Sequence, residues 1–71
     1  MPNKFKDLSR NIRILRKENN YTQQDLAEKA NVSVSTIRRL EQMSDNITLA
    51  TFLNIANVLK VSPEELLKPQ K

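Results

Sequence analysis

The sequence predicts an all-α domain in which five short helices pack around one core. Apolar residues recur three and four positions apart along most of the chain, which is the spacing of one face of a helix. No segment alternates apolar and polar residues in the way that a half-buried strand does. The 71 residues are enough for a single domain, residues 1–71, whose ordered core we place at about residues 4–67.

The longest apolar stripes lie in the first and fourth predicted helices, at about residues 4–18 and 48–60. We expect both stripes to face the core. A short fifth helix over residues 63–67 is predicted because Ser62 is a suitable N-cap and Pro63 is favoured in a first turn. The two stripes are Phe5, Leu8, Ile12 and Leu15 in the first helix, and Leu49, Phe52, Ile55, Ala56 and Leu59 in the fourth.

Between these helices, residues 22–41 predict two short helices, at about 23–30 and 34–42, joined by a tight turn. Thr22 is a suitable N-cap, and Asp25 three residues later completes a motif close to a capping box. Asn31 lies where the chain must turn, and asparagine adopts positive φ at modest cost. Ser33 then starts the next helix as a second N-cap.

The outward side of the helix that Ser33 starts suits insertion into a DNA major groove. Its inward side consists of Ile37 and Leu40, which are three residues apart. Small side chains at the front of the helix allow a close approach to base edges, and arginines one turn later can donate to guanine. The outward and edge residues are Val34, Ser35, Thr36, Arg38 and Arg39.

The composition argues against an enzyme. The chain has no cysteine and no histidine, which removes disulfides, thiolate metal sites, the commonest general base and the commonest metal ligand. We therefore expect no catalytic activity, no metal or other cofactor, and no small-molecule ligand.

The net charge of +4, with a pI near 9.8, favours a polyanionic partner, nucleic acid first among them, although the charge could also serve solubility alone. No stretch approaches the roughly 18 apolar residues of a membrane span, and the first residues do not have the charged-then-apolar pattern of an export signal. We expect a cytoplasmic protein without a membrane partner. The cations of the first helix predict a solvated face, from which one or two near the N-terminus could reach phosphate: Lys4, Lys6, Arg10, Arg13 and Lys17.

Five groups of residues keep a characteristic order and spacing along the chain. They are Ile12-x-x-Leu15-Arg16, Thr22-Gln23-x-x-Leu26-Ala27, Val32-Ser33-x-Ser35-x-Ile37, Leu40-Glu41, and Leu49 through Leu59-x-Val61-Ser62. The pattern resembles the Cro and lambda-repressor family of helix-turn-helix proteins, also called the xenobiotic-response-element family, over about residues 8–67. This resemblance implies a compact five-helix bundle and a bacterial or phage-encoded repressor or activator that binds double-stranded DNA.

The resemblance also implies roles for single residues. It assigns base reading to Val34, Ser35 and Arg39, to which we add Thr36 from its position. It pairs Arg16 with Glu41 in a buried ion pair that holds the helices at a fixed angle. The residues expected to contact phosphate or to support such contacts are Thr22, Gln23, Ser33, Arg38, Asn46 and Thr48. For Arg38 and Arg39, a solvated face or an ion pair with Glu41 or Asp45 is the alternative.

Two departures from the family concern the turns. Positions 20, 31 and 43 are usually glycine in the family, and this chain has none. The loop over residues 42–47 often carries Lys or Arg, and here it has no basic residue. Ser44-x-Asn46-Ile47-Thr48 is nevertheless similar to a turn in the short members that control restriction-modification genes.

A single recognition helix covers only a few base pairs, whereas two copies on a two-fold axis place their helices about 34 Å apart, one turn of duplex. We therefore expect a homodimer, with Leu53, Val58 and Leu67 as its apolar seam. The alternative function is a protein-interaction module, an adaptor or antitoxin-like part that keeps the fold without specific DNA binding. The loop without basic residues favours that alternative.

Overall fold

The computed structural model describes residues 4–42 and 47–69, without the side chain of Lys4. These residues form helices and turns and no strand, which confirms the prediction of an all-α fold. None of the described helices has the length and apolar content that a bilayer span requires. In chain order the elements are α1 (Lys4–Glu18), α2 (Gln23–Ala30), α3 (Val34–Glu41), α4 (Leu49–Leu59) and a 3-10 helix (Pro63–Leu67).

The prediction of five helices is wrong in its last element, because only four of the described elements are α-helices. Residues 63–67 form a 3-10 helix, in which the amide of Glu65 donates to the carbonyl of Ser62 at 3.0 Å. The Ser62 side chain makes no capping bond, contrary to the expected N-cap. Lys68 is extended, with φ −75° and ψ 137°. It precedes Pro69, which disfavours helical backbone at the residue before it, so the segment stays short.

One core lies at the centre of the bundle and takes side chains from all five elements. α2 packs mainly on α3, while α1 packs on α3 and on the 3-10 helix. The buried apolar residues are Leu8, Ile12, Leu26, Ala27, Ala30, Ile37, Leu40, Ile55, Ala56, Leu59 and Leu66.

Two members of the predicted apolar stripes do not face the core. Leu49 is 70% exposed and Phe5 is 38% exposed. Both lie in the first turn of their helix, whereas full burial begins at Leu8 in α1 and at Ile55 in α4. The two side chains instead line one apolar groove at the surface.

The turns are made without glycine. Asn20 and Asn31 have φ of 60° and 59°, which confirms that asparagine occupies the corners. Lys60 also has a positive φ, of 62°, at the end of α4, and the sequence did not predict this. Its amide donates to the carbonyls of Ala56 and Asn57, so the helix end is hydrogen-bonded despite the unfavourable side chain.

A buried asparagine joins α1 to the end of the chain. Asn11 is fully buried, and its Nδ2 donates to the carbonyls of Leu66 and Lys68, both at 2.8 Å. These carbonyls end the 3-10 helix and have few partners within so short an element. Asn11 was missed in the sequence because a polar residue inside an apolar stripe gives no sign of which backbone it will meet.

Candidate nucleic-acid interface

The turn between α2 and α3 is built by local hydrogen bonds. Thr22 and Asp25 form a capping box, in which the Asp25 amide donates to Thr22 Oγ1 at 3.0 Å and the Thr22 amide donates to Asp25 Oδ2 at 2.9 Å. Asn31 ends α2 in the left-handed region, and the Val32 amide donates back to the Ala27 carbonyl at 2.9 Å. These bonds set the bend that was predicted ahead of Ser33.

Ser33 caps α3 as predicted. Its Oγ accepts from the Thr36 amide at 3.2 Å, and its backbone is extended, as an N-cap requires. At the head of α2, the bond from the Thr22 backbone amide lowers the pKa of the Asp25 carboxyl below its ordinary value. Asp25 therefore stays ionised, and keeps accepting this bond, to a lower pH than an ordinary aspartate would.

A network of buried polar groups holds α1, α2 and α3 together at one end. Arg16 Nε donates to Glu41 Oε2 at 2.7 Å and Arg16 Nη2 donates to Glu41 Oε1 at 3.0 Å, in a bidentate pair. Arg16 Nη1 donates to the Tyr21 carbonyl at 2.9 Å, and Gln23 Nε2 donates to Glu41 Oε1 at 3.2 Å. Both ionic side chains are almost wholly enclosed, with 11% of Arg16 and 4% of Glu41 exposed.

The ion pair also changes the pKa of Arg16. The hydrogen bond from Arg16 to Glu41 raises the pKa of the Arg16 guanidinium above its ordinary value, although burial opposes that shift. Gln23 was expected to contact phosphate or to support such a contact, and bracing α3 is a supporting role. In this structure its side-chain amide is the brace.

The outward face of α3 is exposed along one line of the helix. Ser35 and Arg39 are exposed and four residues apart, so their side chains lie above one another. Gln42 follows Arg39 by three residues and is exposed at the end of the helix. Gln42 was not among the predicted readers. Its spacing of seven residues from Ser35, about two helical turns, was the signal that could have placed it on the same face. Arg38 is exposed at the edge of this line.

Two of the predicted base readers are less available than Ser35 and Arg39. Val34 is half-buried and packs against the core, so only part of its side chain faces outward. Thr36 is half-buried, and its hydroxyl lies 2.9 Å from the Ser33 hydroxyl in a hydrogen bond. Both residues lie at the border between the exposed face and the buried face of α3.

The supporting hydroxyls act first as helix caps. Thr48 Oγ1 accepts from the Thr51 amide at 3.2 Å and donates to Thr51 Oγ1 at 2.9 Å. Thr22 and Ser33 cap α2 and α3 in the same way. Asn46, the remaining supporting residue of the prediction, lies outside the described residues. Within residues 4–42 and 47–69, no three potential metal ligands come together.

Comparison with known proteins agrees with this geometry. A helix-turn-helix family pattern matches residues 12–66, which is most of the chain. The chain belongs to this helix-turn-helix family. The predicted resemblance is thereby confirmed, and the family accounts for the paired helices α2 and α3, their turn and the exposed outer face of α3.

Two curated members of the helix-turn-helix family are similar in sequence. Antitoxin HipB of Escherichia coli (strain K12) is 36% identical over 55 residues, which cover 78% of this chain but only 62% of HipB. The HTH-type transcriptional regulator YazB of Bacillus subtilis (strain 168) is 36% identical over 62 residues, which cover 87% of this chain and 90% of YazB.

Solved structures share the fold. The biofilm regulator SinR, determined in complex with DNA, is 32% identical with a TM-score of 0.80, covering 86% of this chain and 98% of the SinR chain. The restriction-modification controller C.AhdI of Aeromonas hydrophila is 26% identical with a TM-score of 0.81, covering 87% of this chain and 94% of C.AhdI. A point mutant of the restriction-modification controller C.Esp1396I is 31% identical with a TM-score of 0.80, covering 94% of this chain and 93% of that protein.

Replacement of Arg16 by alanine tests the buried network. We expect Arg16→Ala to lower the free energy of unfolding by about 3–5 kcal/mol, because it leaves the Glu41 carboxylate buried without its cation. Urea denaturation followed by circular dichroism measures the loss. Arg13→Ala, on the exposed side of the same helix, is the matched control and should change the stability by less than about 0.5 kcal/mol.

A double variant separates the loss of a partner from the net value of the pair. Arg16→Met with Glu41→Leu removes both charges and should recover most of the lost stability. If Arg16→Ala unfolds at the same urea concentration as the wild type, the network does not hold the helices as described.

Proposed function

We propose that this chain is a sequence-specific regulator of transcription that reads double-stranded DNA with α3 in the major groove. The observation that supports it is the line of exposed Ser35 and Arg39 on a helix whose opposite side, Ile37 and Leu40, is buried in the core. A helix held in this way can enter a groove as a rigid body. The complex of SinR with DNA adds support, since SinR is 32% identical to this chain.

The contacts divide into two kinds. In this proposal Arg39 donates to O6 and N7 of a guanine, and Ser35 reaches an adjacent base edge. Arg38, at the edge of the face, and the backbone amides of Gln23 and Gln24 at the start of α2 meet phosphate. The next amide, that of Asp25, already donates to Thr22 Oγ1. Phosphate contacts fix the position of the protein, whereas base contacts select the sequence. Thr36 and Val34 contribute less, through the parts of their side chains that remain exposed.

Paired substitutions of the two arginines test this division. Arg39→Ala should relax the preference at one base position, at a loss of about 1–3 kcal/mol for the preferred site, because a bidentate guanine contact is lost. Arg38→Ala should weaken binding to all sequences alike. Selection of sites from a random duplex pool with each variant measures both effects. An unchanged site preference for Arg39→Ala contradicts the assignment of Arg39 as base reader.

The alternative function is a protein-interaction module that keeps the fold without specific DNA binding. The similarity to antitoxin HipB favours it, although this chain spans only 62% of HipB. Titration against random duplex at two salt concentrations separates the two functions, since neutralised phosphates make binding fall steeply with salt. A chain that binds no duplex at low salt, and instead holds a protein partner at high salt, is the interaction module.

We further propose that the chain binds DNA as a homodimer, in the cytoplasm of a bacterial cell. The two-fold geometry needs a surface on which a second copy can pack, and α4 offers one. Its eleven residues contain no charged side chain, although 20 of the 71 residues of the chain are charged. Two copies of a protein with a net charge of +4 repel each other, and an uncharged contact surface keeps that repulsion small.

Of the three residues predicted for the dimer interface, only Leu53 is exposed, so we centre the proposed interface on Leu53 and its neighbour Leu49. Leu53 is 44% exposed, whereas Val58 and Leu67 are half-buried and pack against the core. Leu49, one turn before Leu53, is 70% exposed and belongs to the same surface. Beside it runs the open, apolar groove, of about 360 Å³, lined by Phe5, Leu8, Ile47, Thr48, Leu49, Phe52 and Leu67. A standard interface of about 800 Å² per partner would cover about a sixth of the 4782 Å² surface.

A double substitution on α4 tests the dimer. Leu49→Ser with Leu53→Ser should give a monomer that still unfolds cooperatively, because Leu49 is 70% exposed and neither side chain belongs to the buried core. Sedimentation equilibrium measures the mass, with and without duplex. Ile14→Ser removes an equally apolar, 36% exposed side chain from α1 and should leave the dimer intact. A dimer that survives the double substitution places the seam elsewhere.

Among regulators, the restriction-modification controllers are the class that we propose for this chain. The observations in its favour are the similarity of Ser44-x-Asn46-Ile47-Thr48 to their turn and the fold shared with C.AhdI and C.Esp1396I. An operator that overlaps the promoter favours repression and one upstream of it favours activation, so mapping the selected sites, together with a reporter assay, decides the direction of regulation.

A further inference from the structure

A line of cations runs along the outside of α1, on the side opposite the core. Lys6, Arg10, Arg13 and Lys17 are spaced by four, three and four residues, so their side chains lie on one face of the helix. Lys6, Arg13 and Lys17 are exposed and Arg10 is half-buried. We name this set the α1 cation stripe. Over the eleven residue steps from Lys6 to Lys17 it extends for about 16 Å, the rise of about five base pairs.

The second half of the stripe, Arg13 and Lys17, has no acidic residue three or four positions away on α1. Glu18 directly follows Lys17 and lies about 100° round the helix from it. Asp7 lies three residues before Arg10 and is within reach of that member of the stripe. Asp7 is also buried. In the described part of the chain, no ion pair or hydrogen bond involves the side chains of Arg10, Arg13 or Lys17.

Such an arrangement slightly destabilises the helix, since like charges three and four residues apart repel each other. A solvated surface helix has no need of it, because alternating charges would keep the helix equally soluble and would attract. The repulsion falls when a polyanion lies along the stripe. The chemistry that fits is a run of evenly spaced phosphates, which a basic stripe meets without reading any base.

The stripe begins beside the DNA-facing end of α2. The Arg16 side chain, next to Lys17, donates to the Tyr21 carbonyl, and the chain enters α2 at Gln23. Gln23 in turn contacts Glu41 of α3 at 3.2 Å. The Lys17 carbonyl accepts from the Asn20 amide at 3.0 Å, so the Lys17 end of the stripe lies close to the chain that enters α2.

We propose that the α1 cation stripe binds the phosphate backbone of the duplex that flanks the half-site read by α3. This proposal rests on the proposed function, since the flanking duplex is present only when α3 is docked. The stripe adds affinity and salt dependence and leaves sequence preference unchanged. Contacts begin at Lys17 and extend to Arg13 and Arg10 as the duplex continues beyond the half-site.

A charge-matched pair of variants tests the stripe. Arg10→Gln, Arg13→Gln and Lys17→Gln together lower the net charge from +4 to +1, and so does the control, Lys29→Gln with Lys60→Gln and Lys68→Gln. Glutamine keeps a good helix propensity at the α1 positions, and circular dichroism verifies the fold of both variants. The probes are the site that the wild type selects from a random pool, as a minimal duplex and with about ten base pairs added on each side.

The expected result is specific to the stripe variant. The slope of log affinity against log salt should become shallower by about 1.8–2.7, equivalent to two or three lost phosphate contacts at about 0.9 each. The gain in affinity from the added base pairs should vanish, and the selected sequence should stay the same. The control should keep the length-dependent gain and most of the slope.

Two results overturn the proposal: a slope and a length dependence equal to those of the wild type, or an equal loss in the control, which would reduce the effect to net charge. If the slope and length dependence equal those of the wild type, an acidic protein surface is the remaining candidate partner for the stripe. A wild type that selects no site at all is a different failure, because it overturns the proposed function itself.

Discussion

The position of α3 depends on the buried contact between Arg16 and Glu41. An eight-residue helix is too short to be stable by itself in water, so tertiary contacts must keep it helical and fix its direction. Ile37 and Leu40 anchor its inner side, but apolar contacts tolerate small rotations, whereas a bidentate ion pair fixes both distance and orientation. Since Gln23 also meets Glu41, the same carboxylate sets the start of α2 relative to the end of α3.

Local signals made much of this architecture predictable. The bounds of α1 and α2, the capping box at Thr22 and the left-handed turn at Asn31 depend on residues close together in sequence, where propensities and caps decide the backbone. The Arg16–Glu41 contact joins residues 25 apart, and only the family resemblance made it an expectation. The outward positions of Ser35 and Arg39 followed from the helical period, because one buried face defines the opposite one, whereas their predicted role as base readers came from the family resemblance.

The errors and omissions have a common physical cause, which is that they depend on what packs at the ends of helices. Phe5 and Leu49 fit the apolar period of their helices, but a first turn has fewer neighbouring elements to cover it. The 3-10 geometry of residues 63–67 and the left-handed Lys60 depend on where the chain must go next, and not on their own side chains. Asn11 donates hydrogen bonds to backbone carbonyls more than 50 residues away in the sequence, which no local pattern reveals.

Under the proposed function, the distribution of charge divides the surface among three tasks. α4 has no charged side chain, α1 carries a line of cations, and α3 has its two arginines on the outer face of its last turn. If the cations were spread evenly, a second copy would be repelled from every side, and the phosphates would bind the protein in many orientations. In the proposed complex, their concentration on α1 and α3 orients the domain before any base is read. The proposal thus assigns attraction, reading and pairing each to a different helix.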